Sequence, residues 1–300
     1  MCSSDLDALM EITHVLRGED ILSSTPRQIA LYDALAEIGV GNGTTPRFGH
    51  LPYVMGQGNK KLSKRDPEAN ALGYRDAGFL PEGLLNYLAL LGWAIAEDRD
   101  VFTLEEMVEV FDISRVNPNP ARFDLKKCEA INAAHVRALE VDELAERILG
   151  HLQLVGMLPA EPTEAQRAMV RAATPLVQER MVTLGEAPTM LGFLLVEESE
   201  FTRDPADVAK LLDEQGVATV RAAHDALAAL EDWTTDSIDR ALRQRLVEEL
   251  GLKPRHAFGP VRVALTGRRV SPPLFESLEL LGRERSLVRL ASAQTETSAG

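Results

Sequence analysis

"MEITHVLRGEDILSSTPRQIALYDALAEIG" runs from Met10 to Gly39, and a change of period inside it decides the fold. From Met10 to Gly18 the spacing puts Ile12, His14 and Leu16 on one side of an extended segment, which predicts a strand. Then the grammar becomes helical. Thr25 stands where an N-cap is expected, and Pro26 at N1 loses nothing by lacking an N–H. Gly39 supplies the stop. "RFGHLPYVMG" (Arg47–Gly56) reads as a second extended segment. Strand, helix and strand together predict a short α/β start.

Beyond Pro67 the pattern is helical almost throughout, so the fold class is mostly α. "LPEGLLNYLALLGW" sets Leu80, Leu84, Leu88 and Leu91 on one stripe. "TLEE" (Thr103–Glu106) fits a capping box, with Met107 and Val110 on the side expected to be buried. "TDSIDRALRQRLVEELG" steps Ile238, Leu242, Leu246 and Leu250 down a helix that stops at Gly251. "SPPLFESLELLG" takes Ser271 as cap, Pro272 at N1 and Gly282 as stop. Boundaries fall near residues 66 and 150, the second just before the proline-containing "LPAEPTEAQ" (Leu158–Gln166). The end, 293–300, has no apolar period and reads as a flexible tail.

Composition narrows the function. The chain of 300 residues is 45% hydrophobic, enough for more than one core, and its formal charge of −14 excludes a uniformly basic nucleic-acid coat. Two cysteines, Cys2 and Cys128, supply neither a disulfide framework nor a cysteine-rich zinc site, so no zinc is expected. No apolar run reaches the ~18 residues of a membrane span. The expectation is a soluble cytoplasmic protein.

Against that acidic background, "GNKKLSKRDPEAN" (Gly58–Asn70) places Lys60, Lys61, Lys64 and Arg65 close together. Glycines before the cluster let the chain turn sharply, and Pro67 delays the next helix. Flexible lysines suit a phosphate group that gains charge during a reaction. The spacing is wrong for a G-x-x-x-x-G-K-[ST] phosphate loop. A loop closing over a polyphosphate and a solvated basic turn fit the spacing equally well. Near the end, eight Lys/Arg between Lys253 and Arg289 face three acids, so the terminal helices are locally basic. Such a run fits a solvated helix face or a nucleic-acid contact.

The neighbours of the loop carry a family resemblance. "KLSKR" (Lys61–Arg65) resembles the KMSKS signature of class I aminoacyl-tRNA synthetases. "VLRGEDILSSTPRQIALYDAL" is similar to the segment before that loop in bacterial glutamyl-tRNA synthetases. "GFLPEGLLNYLALLGW", "NPARFDLKKCEAIN" and "RVALTGRRVSPPLFESLELLGRERSLVRL" resemble that family's helical continuation and last helices, in the family's order. The resemblance implies ATP-dependent activation of glutamate, with Mg2+, and transfer to the 3′ end of tRNA(Glu), by a monomer with no membrane partner. It implies that Lys61 and Lys64 hold the triphosphate and leaving pyrophosphate, with Ser63 and Arg65 beside them. It places Arg17 on the glutamate carboxylate and Asp20 and Ile21 along the adenosine. The fold it implies is the remnant of a class I nucleotide-binding domain (1–66), a helical stem-contact region (67–150) and a helical-bundle anticodon-binding domain (151–292). His14 and His50 read as strand histidines without a metal partner.

One departure stands out. None of the six histidines begins an H-x-G-H or H-x-G-N sequence, the family's first signature. The chain therefore looks like the C-terminal portion of a longer protein, with "MCSSDL" as foreign sequence at a truncated end. It is expected to be inactive by itself and to expose an apolar sheet edge. The alternative function is a tRNA-binding module without activation activity. A glutaminyl-tRNA synthetase fits less well, because that relative ends in β-barrels and residues 151–290 read as helices.

Overall fold

The computed structural model of the protein describes residues 4–56, 60–63, 65–66 and 69–295. The chain divides into two compact units, residues 1–74 with 81–131, and residues 75–80 with 132–300.

The first unit holds the α/β start. After α1 (Ser4–Leu9) come β1 (His14–Gly18), a 3-10 helix (Glu19–Ser24), α2 (Thr25–Glu37) and β2 (Arg47–Leu51). β1 and β2 are parallel, with His14 opposite Arg47 and Arg17 opposite His50. A second parallel pair joins β3 (Val54–Met55) to β4 (Ala121–Arg122). The first strand is shorter than its alternation suggested. Met10, Glu11 and Ile12 donate their N–H groups back to Leu6, Ala8 and Asp7, so these residues close α1 instead of starting β1. The start of α2 also moves by one residue. Ser24 is the N-cap, with its hydroxyl donating to the Ile21 carbonyl, and Thr25 is the first helical residue.

Of the expected leucine stripe Leu80 is buried, but within the helix Pro81–Leu90 that follows it the buried face is Gly83, Asn86 and Tyr87. Asn86 donates to the Asp100 carbonyl and accepts from Phe102 N–H, while Tyr87 Oη accepts from Asp124 N–H and its ring meets Phe123 edge-on. Polar groups that find partners can occupy a core, and a count of leucines passes over them. Thr103 and Glu106 do form the capping box, but Val110 ends exposed.

The second unit is a helical bundle whose core is contiguous. Ile148 and Leu152 of the helix Val141–Leu154 pack with Val177, Leu191, Val220, Leu227, Val261, Leu278 and Leu290, all almost fully buried. Ile238, Leu242 and Leu246 lie inside as expected, whereas Leu250 is exposed. The helix Thr235–Leu242 passes into a π-helix, Arg243–Glu249. A π-turn is wider than an α-turn, so a four-residue step no longer returns to the same face. The last regular helix is Arg283–Ala293, and residues 296–300 of the expected tail lie outside the described residues.

Candidate functional site

Parallel register builds the first half of the site. Arg17 on β1 lies directly across from His50 on β2. The Arg17 Nε–H donates to His50 Nε2 (3.3 Å) and its Nη2 donates to Thr25 Oγ1 (2.8 Å). The Thr25 hydroxyl is 3.1 Å from the same His50 nitrogen, and the Phe48 ring lies 5.2 Å from the guanidinium carbon. The arginine is therefore held in one orientation by a strand partner, a helix start and an aromatic face.

The turn after β1 builds the second half. Asp20, in the 3-10 helix, accepts from Lys61 Nζ at 3.2 Å, and that ammonium sits 4.1 Å from the centre of the Tyr53 ring. Asp20 folds back close to the strand end: a Cβ on Gly18 would lie 2.5 Å from Asp20 Oδ1, so glycine there admits the carboxylate. Tyr53 is fixed in turn by its own N–H, which donates to Glu19 Oε1. Ile21 is exposed beside Asp20.

The basic loop leaves β3 and returns along it. Met55 bridges Lys61 antiparallel, Gly56 N–H donates to the Lys60 carbonyl and Leu62 N–H to the Val54 carbonyl. Next, Ser63 N–H donates to the Asp66 carboxylate and the Ser63 hydroxyl accepts from Arg65 N–H. Lys60, Lys61, Ser63 and Arg65 all face solvent. Lys64 lies outside the described residues. The structure thus brings Lys61 to Asp20, and places Arg17 at the other end of the same short turn.

A second candidate lies wholly in the helical unit. It is a cavity of about 740 Å³ whose wall includes Arg180, Arg268, Arg269, Glu186, Asp207 and Ser271. The helix expected to take Ser271 as cap and start at Pro272 is capped at Pro273 and begins at Leu274 instead. Ser271 is needed elsewhere: its hydroxyl and carbonyl, with the Pro272 carbonyl, accept from Arg262, and its carbonyl also accepts from Arg180. Asp207 pairs with Arg269, while Glu186 accepts from Val182 N–H. Arg268 has no ion-pair partner among the described residues. The wall therefore offers an open cation beside several satisfied polar groups.

This geometry revises the basic character read from the terminal helices. Arg262, Arg283, Arg285 and Arg289 donate to the protein's own carbonyls. Arg285 and Arg289 also hold Glu198, at 2.6 and 2.7 Å, and Arg289 is buried with its guanidinium 3.6 Å above the Phe201 ring. Burial pushes the Glu198 carboxyl up, but the hydrogen bonds from Arg289 and Arg285 outweigh it and leave it below the ordinary carboxylate range. Arg262, Arg285 and Arg289, three of the eight, are thus buried or half-buried scaffolding, while Arg283 stays exposed.

His50, Thr25, Tyr53 and Arg180 are the residues around these two places that sequence reasoning gave no such role. For His50 a signal existed, since it shares a strand face with Phe48 at period 2. For Arg180 none did; it lies far along the chain from Ser271.

Comparison with known proteins bears on both halves. Residues 1–130 match the model of the class I tRNA synthetase (E and Q) catalytic domain, and residues 142–294 match the anticodon binding domain. A glutamate–tRNA ligase of Nocardioides sp. is 67% identical over 96% of this chain and 58% of its own length. That of Saccharopolyspora erythraea is 64% identical over 95% and 56%. The crystal structure of a glutamate tRNA ligase from Elizabethkingia meningosepticum, in complex with its amino acid, superposes with a TM-score of 0.74. It is 24% identical and shares 97% of this chain and 58% of that one, which establishes the common fold. The chain spans a little over half the length of the relatives it matches. With synthetase catalytic and anticodon-binding segments in this order, the chain belongs to the glutamate–tRNA ligase family of class I aminoacyl-tRNA synthetases.

Proposed function

We propose that these residues serve a glutamate–tRNA ligase, supplying its lysine loop, its carboxylate-binding arginine and its RNA-binding helices. A glutamate carboxylate oxygen attacks the α-phosphorus of ATP, the bond to the bridging oxygen breaks and pyrophosphate leaves. The glutamyl group then passes to the 3′-terminal hydroxyl of tRNA(Glu), releasing AMP.

The observation that carries this reading is the contact between Lys61 and Asp20, which are 41 residues apart in sequence. It brings the basic loop onto the turn that follows Arg17, so that a polyphosphate and a carboxylate have cationic partners at one turn. In this assignment Lys61 and Lys64 neutralise the leaving pyrophosphate, with Ser63 and Arg65 flanking it. Asp20 and Ile21 border the adenosine, and Arg17 takes the substrate carboxylate. The exposed loop cations suit triphosphate oxygens. No group of three or more His, Cys, Asp or Glu among the described residues is placed to hold a metal. Mg2+ would arrive on the phosphates, keeping several of its water ligands, as it usually does with nucleotides.

Residues 1–66 then belong to the catalytic domain, 67–150 contact the tRNA stem and 151–292 bind the anticodon. The cavity beside Arg180 and Arg268 is where an unpaired RNA base would meet both a cation and backbone carbonyls.

The test uses a ligase of full family length carrying these residues. Lys61→Ala and Lys64→Ala should each lower ATP–pyrophosphate exchange, measured with tRNA present, and leave tRNA filter binding unchanged. Normal exchange with lost tRNA binding would overturn the assignment.

A further inference from the structure

We propose that His50 and Thr25 are positioning residues for Arg17, which they orient so that only its end-on pair of N–H groups meets a substrate carboxylate. The inference rests on the reading of Arg17 as the glutamate-binding arginine.

A guanidinium carries five N–H donors in a fixed plane. Arg17 gives its Nε–H to His50 Nε2 at 3.3 Å and one Nη2–H to Thr25 Oγ1 at 2.8 Å. Those two bonds occupy the side-on fork formed by Nε and Nη2. What remains is the end-on fork, Nη1 with the second Nη2 hydrogen, and a carboxylate can bind there through two parallel bonds. Phe48, 5.2 Å from the guanidinium carbon, covers one face and keeps the plane from rolling.

The same bonds fix the imidazole. Thr25 Oγ1 accepts from Arg17, so its own hydrogen is free to point to His50 Nε2, 3.1 Å away. Two donors then converge on one ring nitrogen, which must be unprotonated. This geometry assigns the ring proton to Nδ1. A cationic ring would set N–H against N–H and charge against charge.

Thr25 is held in place by the start of α2. It is the first helical residue after the Ser24 N-cap, so its backbone is fixed by the helix. Its side chain, on a buried residue, is turned to Arg17 and His50.

Kinetics in a ligase of full family length, and spectra of this chain, test the idea together. His50→Leu and Thr25→Val should each raise the KM for glutamate roughly tenfold, the loss of one hydrogen bond to a charged group, with the KM for ATP unchanged. His50→Gln, which keeps an acceptor oxygen, should recover most of the loss. Long-range 15N–1H spectra of this chain should show His50 as the Nδ1–H tautomer. Arg17→Met should raise the glutamate KM by more than either neighbour. If it does so while His50→Leu leaves that KM unchanged, the positioning role is overturned and the Arg17 assignment stands. An unchanged glutamate KM in Arg17→Met removes the assignment and the inference with it. An Nε2–H tautomer in the unsubstituted chain overturns the geometry directly.

Discussion

Residues 4–51 and residues 132–294 have similar apolar content but treat it oppositely. In the first stretch Leu6, Leu9, Leu16, Ile29 and Leu31 are exposed on α1, β1 and α2, and Met10 and Ile38 just beyond the ends of the two helices. In the second, almost every large aliphatic of the main helices is inside. Topology explains the contrast. A helix bundle closes its core with neighbours close in sequence, whereas a parallel sheet needs both faces covered by elements distant in sequence. Two parallel strands and two helices leave apolar faces bare. The helical unit closes its own core; the α/β start leaves its proposed site residues beside an apolar surface that stays exposed.

The sharpest way to break this comparison is to truncate one leucine in each region. Leu152→Ala, fully buried in the bundle, should cost about 2–5 kcal/mol in denaturant unfolding. Leu31→Ala, exposed on α2, should cost no more than about 0.5 kcal/mol. Equal costs would mean that α2 is covered in solution.

Glu198→Gln should come next, at roughly 1.5–3 kcal/mol, because it leaves the buried Arg289 guanidinium without a counter-charge. The pH dependence has a definite sign. With its carboxyl held below the ordinary range when folded, Glu198 adds stability that is full at neutral pH and is lost as pH falls through its folded-state value. Glu198→Gln should therefore flatten the acid limb of the stability curve. A variant as acid-sensitive as the parent would place the acid response elsewhere.

A smaller loss, about 1–2 kcal/mol, is expected for Gly267→Ala. Gly267 has φ +79°, and a Cβ there would lie 2.6 Å from the Thr202 carbonyl oxygen. Thermal unfolding measures it, and a neutral result would show that the 202–204 loop gives way freely.

The sequence is most legible where local chemistry decides. The strand–helix–strand start, the Thr103 capping box and the buried Ile238–Leu242–Leu246 stripe all follow from spacing. Its limits are also physical. The exposure of Leu250 depends on a π-turn, a backbone choice that no apolar period announces. Burial of Asn86 and Tyr87 depends on partners in the loops near residues 100 and 124. At the site, arginine and the lysine cluster are visible by type. The Lys61–Asp20 and Arg17–His50 contacts are not, because each joins segments more than thirty residues apart.

Two helix caps give the finest comparison, since the same local chemistry occurs in each unit. Thr103 with Glu106 and Thr163 with Gln166 both form complete capping boxes. In each, the hydroxyl accepts the N3 N–H and the N3 side chain accepts the cap's own N–H. Thr→Ala at either site removes one such bond and should weaken its helix start by about 1 kcal/mol. The contexts differ. The helix Glu164–Val177 buries Val170, Ala173 and Val177 in the bundle, while Leu104–Val110 has no buried residue. Thr163→Ala should therefore lower the unfolding free energy of the whole bundle. In Thr103→Ala the loss should stay local, as roughly fivefold faster hydrogen exchange at Glu106 and its neighbours, with slow core amides unaffected. Exchange that accelerates throughout the bundle in Thr103→Ala would mean that the marginal helix is coupled to the stable core, and the two regions could no longer be treated as separately stabilised.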